Sequence, residues 1–75
     1  MSNTASLAWH LATNHDGTRT VVLTGTGSGI GHLAPTFEGN GWVAFAGYTG
    51  RRLGRSDNIT RAALLVVEAY RAVSA

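Results

Sequence analysis

The sequence predicts a small α+β domain in which an antiparallel sheet of three or four strands packs on one C-terminal α-helix. Two observations lead to this fold class. Up to Tyr48 the apolar residues alternate with a period of two, which is typical of strands. After Ser56 the period changes to that of a helix, with apolar residues recurring at steps of four, three, four and three. These residues are Ile59, Ala63, Val66, Tyr70 and Val73.

The helix is predicted over residues 57–73. Its start lies within Ser56, Asp57 and Asn58, whose side chains accept hydrogen bonds from the free N–H groups of a first turn. Its apolar arc is broader than one sheet covers. Leu64 and Val67 widen the arc on one side, and Leu65 and Ala72 on the other. Loops of the same chain or a second subunit must cover this surface, and we favour a homo-oligomer with these four residues at its interface.

The N-terminal part predicts a β-hairpin over residues 6–24. From Ser6 to Thr13 large apolar residues alternate with small or polar ones, and a run rich in β-branched residues follows from Thr18 to Thr24. Between them, Asp16 and Gly17 tolerate left-handed backbone conformations. We therefore expect the hairpin turn to be centred on this pair.

A Gly-rich segment, residues 25–41, separates this hairpin from the next strand, 42–48. A helix in the segment would contain the only proline, Pro35, and Gly39, at a cost of about 3 and 1 kcal/mol. We therefore predict a loop. After the strand, residues 51–55 form either a short final strand or the loop that leads to the helix.

The length and composition favour association. A single domain of 75 residues buries only about 60% of the surface that its unfolded chain exposes. Without cysteine, disulfides and Cys-based metal sites are excluded. The three histidines, His10, His15 and His32, have no spacing suited to a metal, so we expect neither a metal nor a cofactor. Self-association is then the ordinary source of additional burial.

All six basic residues are arginines, and the formal net charge is +2. The densest group is Arg51, Arg52 and Arg55, and the planar guanidinium group suits phosphate. No apolar run reaches the length that crosses a bilayer, and the first residues lack the features of a secretory signal. We expect a cytoplasmic protein, or a part of a particle assembled in the cytoplasm, with no membrane partner.

One motif resembles the nucleotide-binding turn of short-chain dehydrogenases. Thr24, Gly25, Gly29, Ile30 and Gly31 match the Thr-Gly-x-x-x-Gly-Ile-Gly pattern of that family. The family's catalytic Tyr-x-x-x-Lys is impossible in a chain without lysine, and 75 residues are too few for a doubly wound sheet. We interpret the match as coincidental.

Residues 41–72 resemble the sheet-plus-helix DNA-binding domains of plant ethylene-response factors and the arm-binding domains of phage integrases. The similar segments are residues 41–44, 50–54, 62–63 and 69–72. The resemblance implies a three-stranded sheet that enters the major groove. It also implies groove-facing roles for Trp42 and for Arg51 or Arg52, and packing roles for Leu53 and Gly54.

We therefore expect a small non-enzymatic nucleic-acid-binding module that uses a basic turn and a sheet face. No acid, histidine and serine occur in an order that indicates catalysis, and no small-molecule substrate is predicted. The alternative is a small self-associating structural or interaction protein of a phage particle or regulatory complex. The nucleic-acid-binding residues are predicted to be Arg51, Arg52, Arg55, Trp42, Tyr48 and Arg19.

Overall fold

The computed structural model describes residues 8–47 and 49–74. In this part of the chain, five antiparallel strands form one sheet in chain order, and a helix packs on one of its faces. The α+β class and the C-terminal helix agree with the prediction, but the sheet has five strands rather than three or four. The elements are β1 (Trp9–Thr13), β2 (Arg19–Leu23), β3 (Gly29–Pro35), β4 (Trp42–Ala46), β5 (Arg52–Ser56) and α1 (Ile59–Ser74).

β1 and β2 pair through a short turn at Asn14–Gly17, whose central residues are His15 and Asp16 rather than the predicted Asp16 and Gly17. The Gly17 N–H donates to the Asn14 carbonyl at 3.2 Å, and Gly17 has a φ of 89°. The hydroxyl and the backbone N–H of Thr18 both donate to Asp16 Oδ1, at 2.7 and 3.1 Å. These hydrogen bonds hold the pKa of the Asp16 carboxyl below its ordinary value, because they stabilise the charged form. Ser6 and Leu7, also assigned to this hairpin, lie outside the described residues.

The segment predicted as a loop, residues 25–41, contains the whole of β3. Each of the four turns of the sheet holds a glycine with positive φ, a conformation that glycine adopts without steric cost. These glycines are Gly17, Gly27, Gly39 and Gly50, which lie ten, twelve and eleven residues apart. The glycines at the two ends of the segment therefore mark two turns with a strand between them. Pro35 is tolerated because it is the last residue of β3 and lies beyond the pairing with β2, which ends at Arg19 and Leu33. The neighbouring residue Thr36 forms the backbone hydrogen bond to Gly41, so no ladder bond is lost at Pro35.

The helix begins where its first side-chain hydrogen bonds are available. Asn58 Oδ1 accepts from the backbone N–H groups of Thr60 and Arg61, at 2.9 and 3.2 Å, which makes Asn58 the N-cap residue. Before the helix, residues 52–56 form β5, so the segment left open between strand and loop is a strand. Within the described part of the chain, no helix is both long enough and apolar enough to cross a membrane.

The core lies between the helix and one face of the sheet. Its largest fully buried side chains are Val21, Leu33 and Val66. The tryptophans, Tyr70 and several leucine and isoleucine residues are only partly buried and pack around this centre. The buried set is Val21, Leu23, Ile30, Leu33, Ala44, Ala62, Ala63, Val66 and Val67. Because four of the nine are alanine or valine of the helix, α1 supplies a smooth surface that approaches the sheet closely.

The closest approach is at Gly31 in β3. A methyl group built on Gly31 would overlap Val66 Cγ1 and would lie 2.6 Å from the Phe45 carbonyl oxygen. The absent side chain therefore leaves the space that Val66 occupies. Gly31 has this role because of packing rather than because of its backbone conformation.

We predict that Gly31→Ala destabilises the fold by about 1–3 kcal/mol, the usual cost of overpacking a core. Chemical denaturation followed by circular dichroism measures the change in the free energy of unfolding. Gly25→Ala is the matched control, since a methyl group there meets nothing within 4 Å, and it should change this energy by less than about 1 kcal/mol. Equal effects of the two substitutions would contradict the packing role of Gly31.

Candidate nucleic-acid interface

The sheet has one face packed on the helix and one face that no other described element covers. Side chains alternate between faces, and cross-strand partners share a face. Val21, Leu33 and Ala44 are fully buried, so the face on which their side chains lie is the helix side. The face formed by the intervening residues of each strand is what we call the open face. Its residues are His10, Ala12, Thr20, Val22, His32, Ala34, Val43, Phe45, Arg52 and Arg55.

A stacked ring pair lies near the middle of the open face. His32 on β3 and Phe45 on β4 are cross-strand partners. Their ring centroids are 4.8 Å apart, and the ring planes differ by 15°, which is stacked geometry. Both side chains are half-buried. The pair therefore forms a fixed aromatic surface at the centre of the sheet.

Two arginines of the edge strand β5 lie beside this pair. Arg52 is opposite Phe45, and Arg55 is opposite Val43. Both side chains are exposed. Arg55 Nη2 donates to Asn40 Oδ1 at 3.3 Å, which ties its guanidinium to the turn between β3 and β4. The open face thus has a positive margin next to its aromatic centre.

The four acidic residues of the chain lie away from the strands. Asp16 is in the first turn, Glu38 is in the turn between β3 and β4, Asp57 precedes the helix, and Glu68 is an exposed helix residue. No carboxylate therefore comes from a strand to neutralise the open face. The carboxylate of Asp16 is nevertheless close enough to His32 for an electrostatic interaction between the two side chains. The positive charge of the open face is therefore concentrated at Arg52 and Arg55 of β5.

One more aromatic side chain is exposed near the same end of β5. Phe37 lies in the β3–β4 turn, and its side chain is fully exposed. The same turn contains Asn40, which binds Arg55. Since none of the described residues buries it, the Phe37 ring is available to a ligand. The Asn40–Arg55 hydrogen bond brings an arginine of β5, a side chain suited to phosphate, to the same turn.

We predicted that Trp42 and Arg19 lie on the exposed sheet face, but the strand register places both on the helix side. Trp42 has the parity of Ala44 and packs at the edge of the core. Arg19 is the partner of Leu33, on the same side. The Arg19 guanidinium carbon lies 5.1 Å from the centroid of a Trp42 ring, a cation–π contact. The two residues therefore stabilise each other on the helix side, contrary to the groove-facing role that the resemblance implied for Trp42.

The three arginines predicted to bind nucleic acid, Arg51, Arg52 and Arg55, do not all lie on the same surface. Arg52 and Arg55 lie on the open face, and Arg51 is an exposed residue of the preceding turn whose carbonyl accepts from the Ala46 N–H. Tyr48 lies outside the described residues. The residues that the sequence analysis missed are His32, Phe45 and Phe37. The alternation of residues 42–48 predicts that Phe45 and Trp42 lie on different faces of the sheet, but it does not indicate which face is exposed.

The four residues predicted to form an oligomer interface differ in burial. Val67 is 4% exposed and belongs to the core of its own chain, because the side of the helix on which it lies packs against the sheet. Leu65 is half-buried near Gly54 of β5, where an added methyl group would lie 3.1 Å from Leu65 Cδ1. Leu64, at 42% exposed, and Ala72 remain on the surface. Val67 is therefore unable to form an intermolecular contact without unfolding.

A cavity of about 590 Å³ opens between the C-terminal half of the helix and the ends of β3 and β4. Its lining includes Ile30, Val66, Ala69 and Tyr70, and none of the described lining residues is charged. Tyr48, next to this site in the chain, is outside the described residues. The cavity lies on the helix side, so it is separate from the open face.

Residues 8–47 and 49–74 contain no group of three or more metal-ligating side chains close enough to hold a metal ion. Comparisons with protein-family models, with curated proteins and with solved structures found no match to this chain. Any functional assignment therefore depends on the geometry of the open face.

We predict that Val67→Glu unfolds the chain, whereas Leu64→Glu leaves it folded. A carboxylate at a core position without a partner costs several kcal/mol, but a surface substitution usually changes stability by less than about 0.5 kcal/mol. Far-UV circular dichroism and thermal melting distinguish the two outcomes. A folded Val67→Glu variant would contradict the placement of Val67 in the core.

Proposed function

We propose that this protein is a small, non-enzymatic nucleic-acid-binding module that holds a single strand of DNA or RNA on the open face. The observation that carries the proposal is the grouping of the His32–Phe45 stack with Arg52 and Arg55 on one uncovered sheet face. Proteins that bind single strands combine aromatic platforms for bases with a positively charged path for the backbone. Both components are present here, since His32, Phe45 and Arg52 are consecutive cross-strand partners on β3, β4 and β5.

The width of the sheet favours a single strand over duplex DNA. Neighbouring strands lie about 4.8 Å apart, so the four spacings of a five-stranded sheet span about 19 Å. The major groove of B-DNA is about 12 Å wide and admits a helix or a two-stranded ribbon. A three-stranded sheet, as the resemblance implied, would fit far better than the five strands present. A single strand can instead lie across the flat surface.

The roles of the residues follow from their chemistry. Arg52 and Arg55 would contact phosphates, for which the guanidinium fork is suited. The exposed ring surfaces of His32 and Phe45 would stack on bases. Phe37 would stack on a base or insert beside it where the strand passes the β3–β4 turn. Every base has a π-face, so this arrangement predicts weak sequence preference and strong salt dependence.

The first test removes two positive charges from the open face. Arg52→Ala/Arg55→Ala should weaken binding to a mixed-sequence oligonucleotide at low salt by about tenfold or more, equivalent to about 1.4 kcal/mol. The slope of log affinity against log salt should fall by about 0.7 for each arginine that contacts a phosphate. Fluorescence anisotropy with labelled single strands measures both quantities.

The matched control for this test is Arg61→Ala/Arg71→Ala, which removes two exposed arginines of the helix. Each double variant lowers the formal net charge from +2 to 0, but only the first changes the open face. Equal losses in the two variants would mean that general charge attraction explains the binding. Absence of binding by the wild type would reject the proposal and leave the structural or interaction protein as the alternative.

The second test uses Phe37, whose full exposure makes it removable without loss of packing. Phe37→Ala should leave the melting temperature unchanged and weaken single-strand binding by roughly 5- to 150-fold, which corresponds to about 1–3 kcal/mol for one stacked base. Val73→Ala is the control, since Val73 is an exposed apolar residue of the helix. Unchanged affinity of Phe37→Ala would remove Phe37 from the interface.

A further inference from the structure

The two edge strands of the sheet differ in the backbone groups and charges that they present. Within the described part of the chain, β1 pairs only with β2, and β5 pairs only with β4. The Asn14 N–H donates to Thr18, and the Ala8 carbonyl accepts from Thr24. The even-numbered residues of β1 thus direct their N–H and C=O groups toward β2. Because these directions alternate along an antiparallel strand, Trp9, Leu11 and Thr13 direct theirs to the outer edge.

Edge strands normally carry features that oppose pairing with another chain, such as charged side chains and bulges. β5 has both, with Arg52 and Arg55 on the strand and a register irregularity opposite Ala44 and Phe45. β1, with the sequence Trp-His-Leu-Ala-Thr, has no arginine, no carboxylate, no proline and no register shift. β5 is therefore protected against edge pairing, and β1 is not.

The helix side of the sheet is incompletely covered at β1. Among the described elements, the helix contacts β2, β3, β4 and β5 but not β1. Trp9 and Leu11 lie on the helix side and are only half-buried against the core. The same residues that direct backbone groups to the outer edge thus also present partly exposed apolar side chains beside it.

We infer that β1 is a self-association edge that pairs antiparallel with β1 of a second copy, about a two-fold axis at Leu11. Antiparallel pairing of identical strands is self-complementary, as a two-fold interface requires. With Leu11 opposite its own copy, Trp9 lies opposite Thr13, and the outward backbone groups of all three are satisfied. The apolar side chains of the two copies then meet on the helix side.

This pairing keeps both helices on the same side of one continuous sheet. The two open faces join along β1, and the arginine-bearing β5 strands lie at the outer edges. The association depends on β1 and not on nucleic-acid binding, so it stands or falls independently of the proposed function. It also replaces helix contacts through Leu64 or Ala72 as the means of self-association.

Sedimentation of the full chain over a wide range of concentration tests the inference. The wild type should form a dimer, and Leu11→Lys should remain monomeric at concentrations where the wild type is mainly dimeric, since two like charges meet at the axis. Leu53→Lys is the matched control, because Leu53 is also a half-buried leucine on an edge strand, and its dimer should persist. A monomeric wild type, or an equal loss of dimer in both variants, would overturn the inference.

A cross-linking experiment decides the matter even if Leu11→Lys fails to fold. The chain has no cysteine, and the proposed register places His10 of one copy opposite Ala12 of the other. This is a non-hydrogen-bonded pair with Cα atoms about 4.5 Å apart, within the range that a disulfide spans. A mixture of His10→Cys and Ala12→Cys should form disulfide-linked dimers several times faster than either variant alone. Absence of cross-links, or equal rates in the mixture and in the separate variants, would overturn the assigned pairing.

Discussion

The contact between the helix and the centre of the sheet is made by small residues, and most other features depend on it. Ala44, Ala62 and Ala63 are fully buried there, and Val66 occupies the space above Gly31. Because these side chains are short, the helix lies close to the sheet and the core between them is thin. Leu23, Ile30 and Leu33 of the sheet fill the buried core, and a second set of bulky apolar residues lies half-buried around its margin. They are Trp9, Leu11, Trp42, Leu53, Ile59, Leu65 and Tyr70.

One helix of this size covers only part of a five-stranded sheet, and the two uncovered regions differ in chemistry. The open face combines aromatic rings and arginines without a carboxylate from any strand, which suits an anionic ligand with flat bases. The outer edge of β1 combines backbone hydrogen-bonding groups with apolar side chains, which suits another strand. The proposed nucleic-acid site and the proposed self-association edge therefore use different surfaces of the same sheet, and pairing at β1 would extend the first surface.

The differences between the predicted and observed structures have two physical causes. The glycines of residues 25–41 were interpreted together as a loop, although Gly27 and Gly39 occupy turns and Gly31 occupies a strand. A glycine indicates either conformational freedom or close approach, and composition does not distinguish them. Period-two alternation in residues 42–48 similarly identifies two faces without indicating which one is buried. Trp42 was thus assigned to the exposed face, although it packs at the edge of the core.

Features that depend on residues close together in the chain could be predicted from the sequence. The helical stripe and the N-cap within Ser56–Asn58 depend on interactions over a few residues, and both are visible in the periodicity and the capping chemistry. The first hairpin turn was located from its turn residues, but its centre was predicted one residue too late, since the Gly17 N–H bonds to the Asn14 carbonyl. Three other features became visible only in the folded chain: the open face of the sheet, the burial of Val67 in the core, and the stacking of His32 on Phe45. Each of these depends on which strands are neighbours and on the space that Gly31 leaves for Val66. Those are contacts between residues distant in the chain, and local pattern does not specify them.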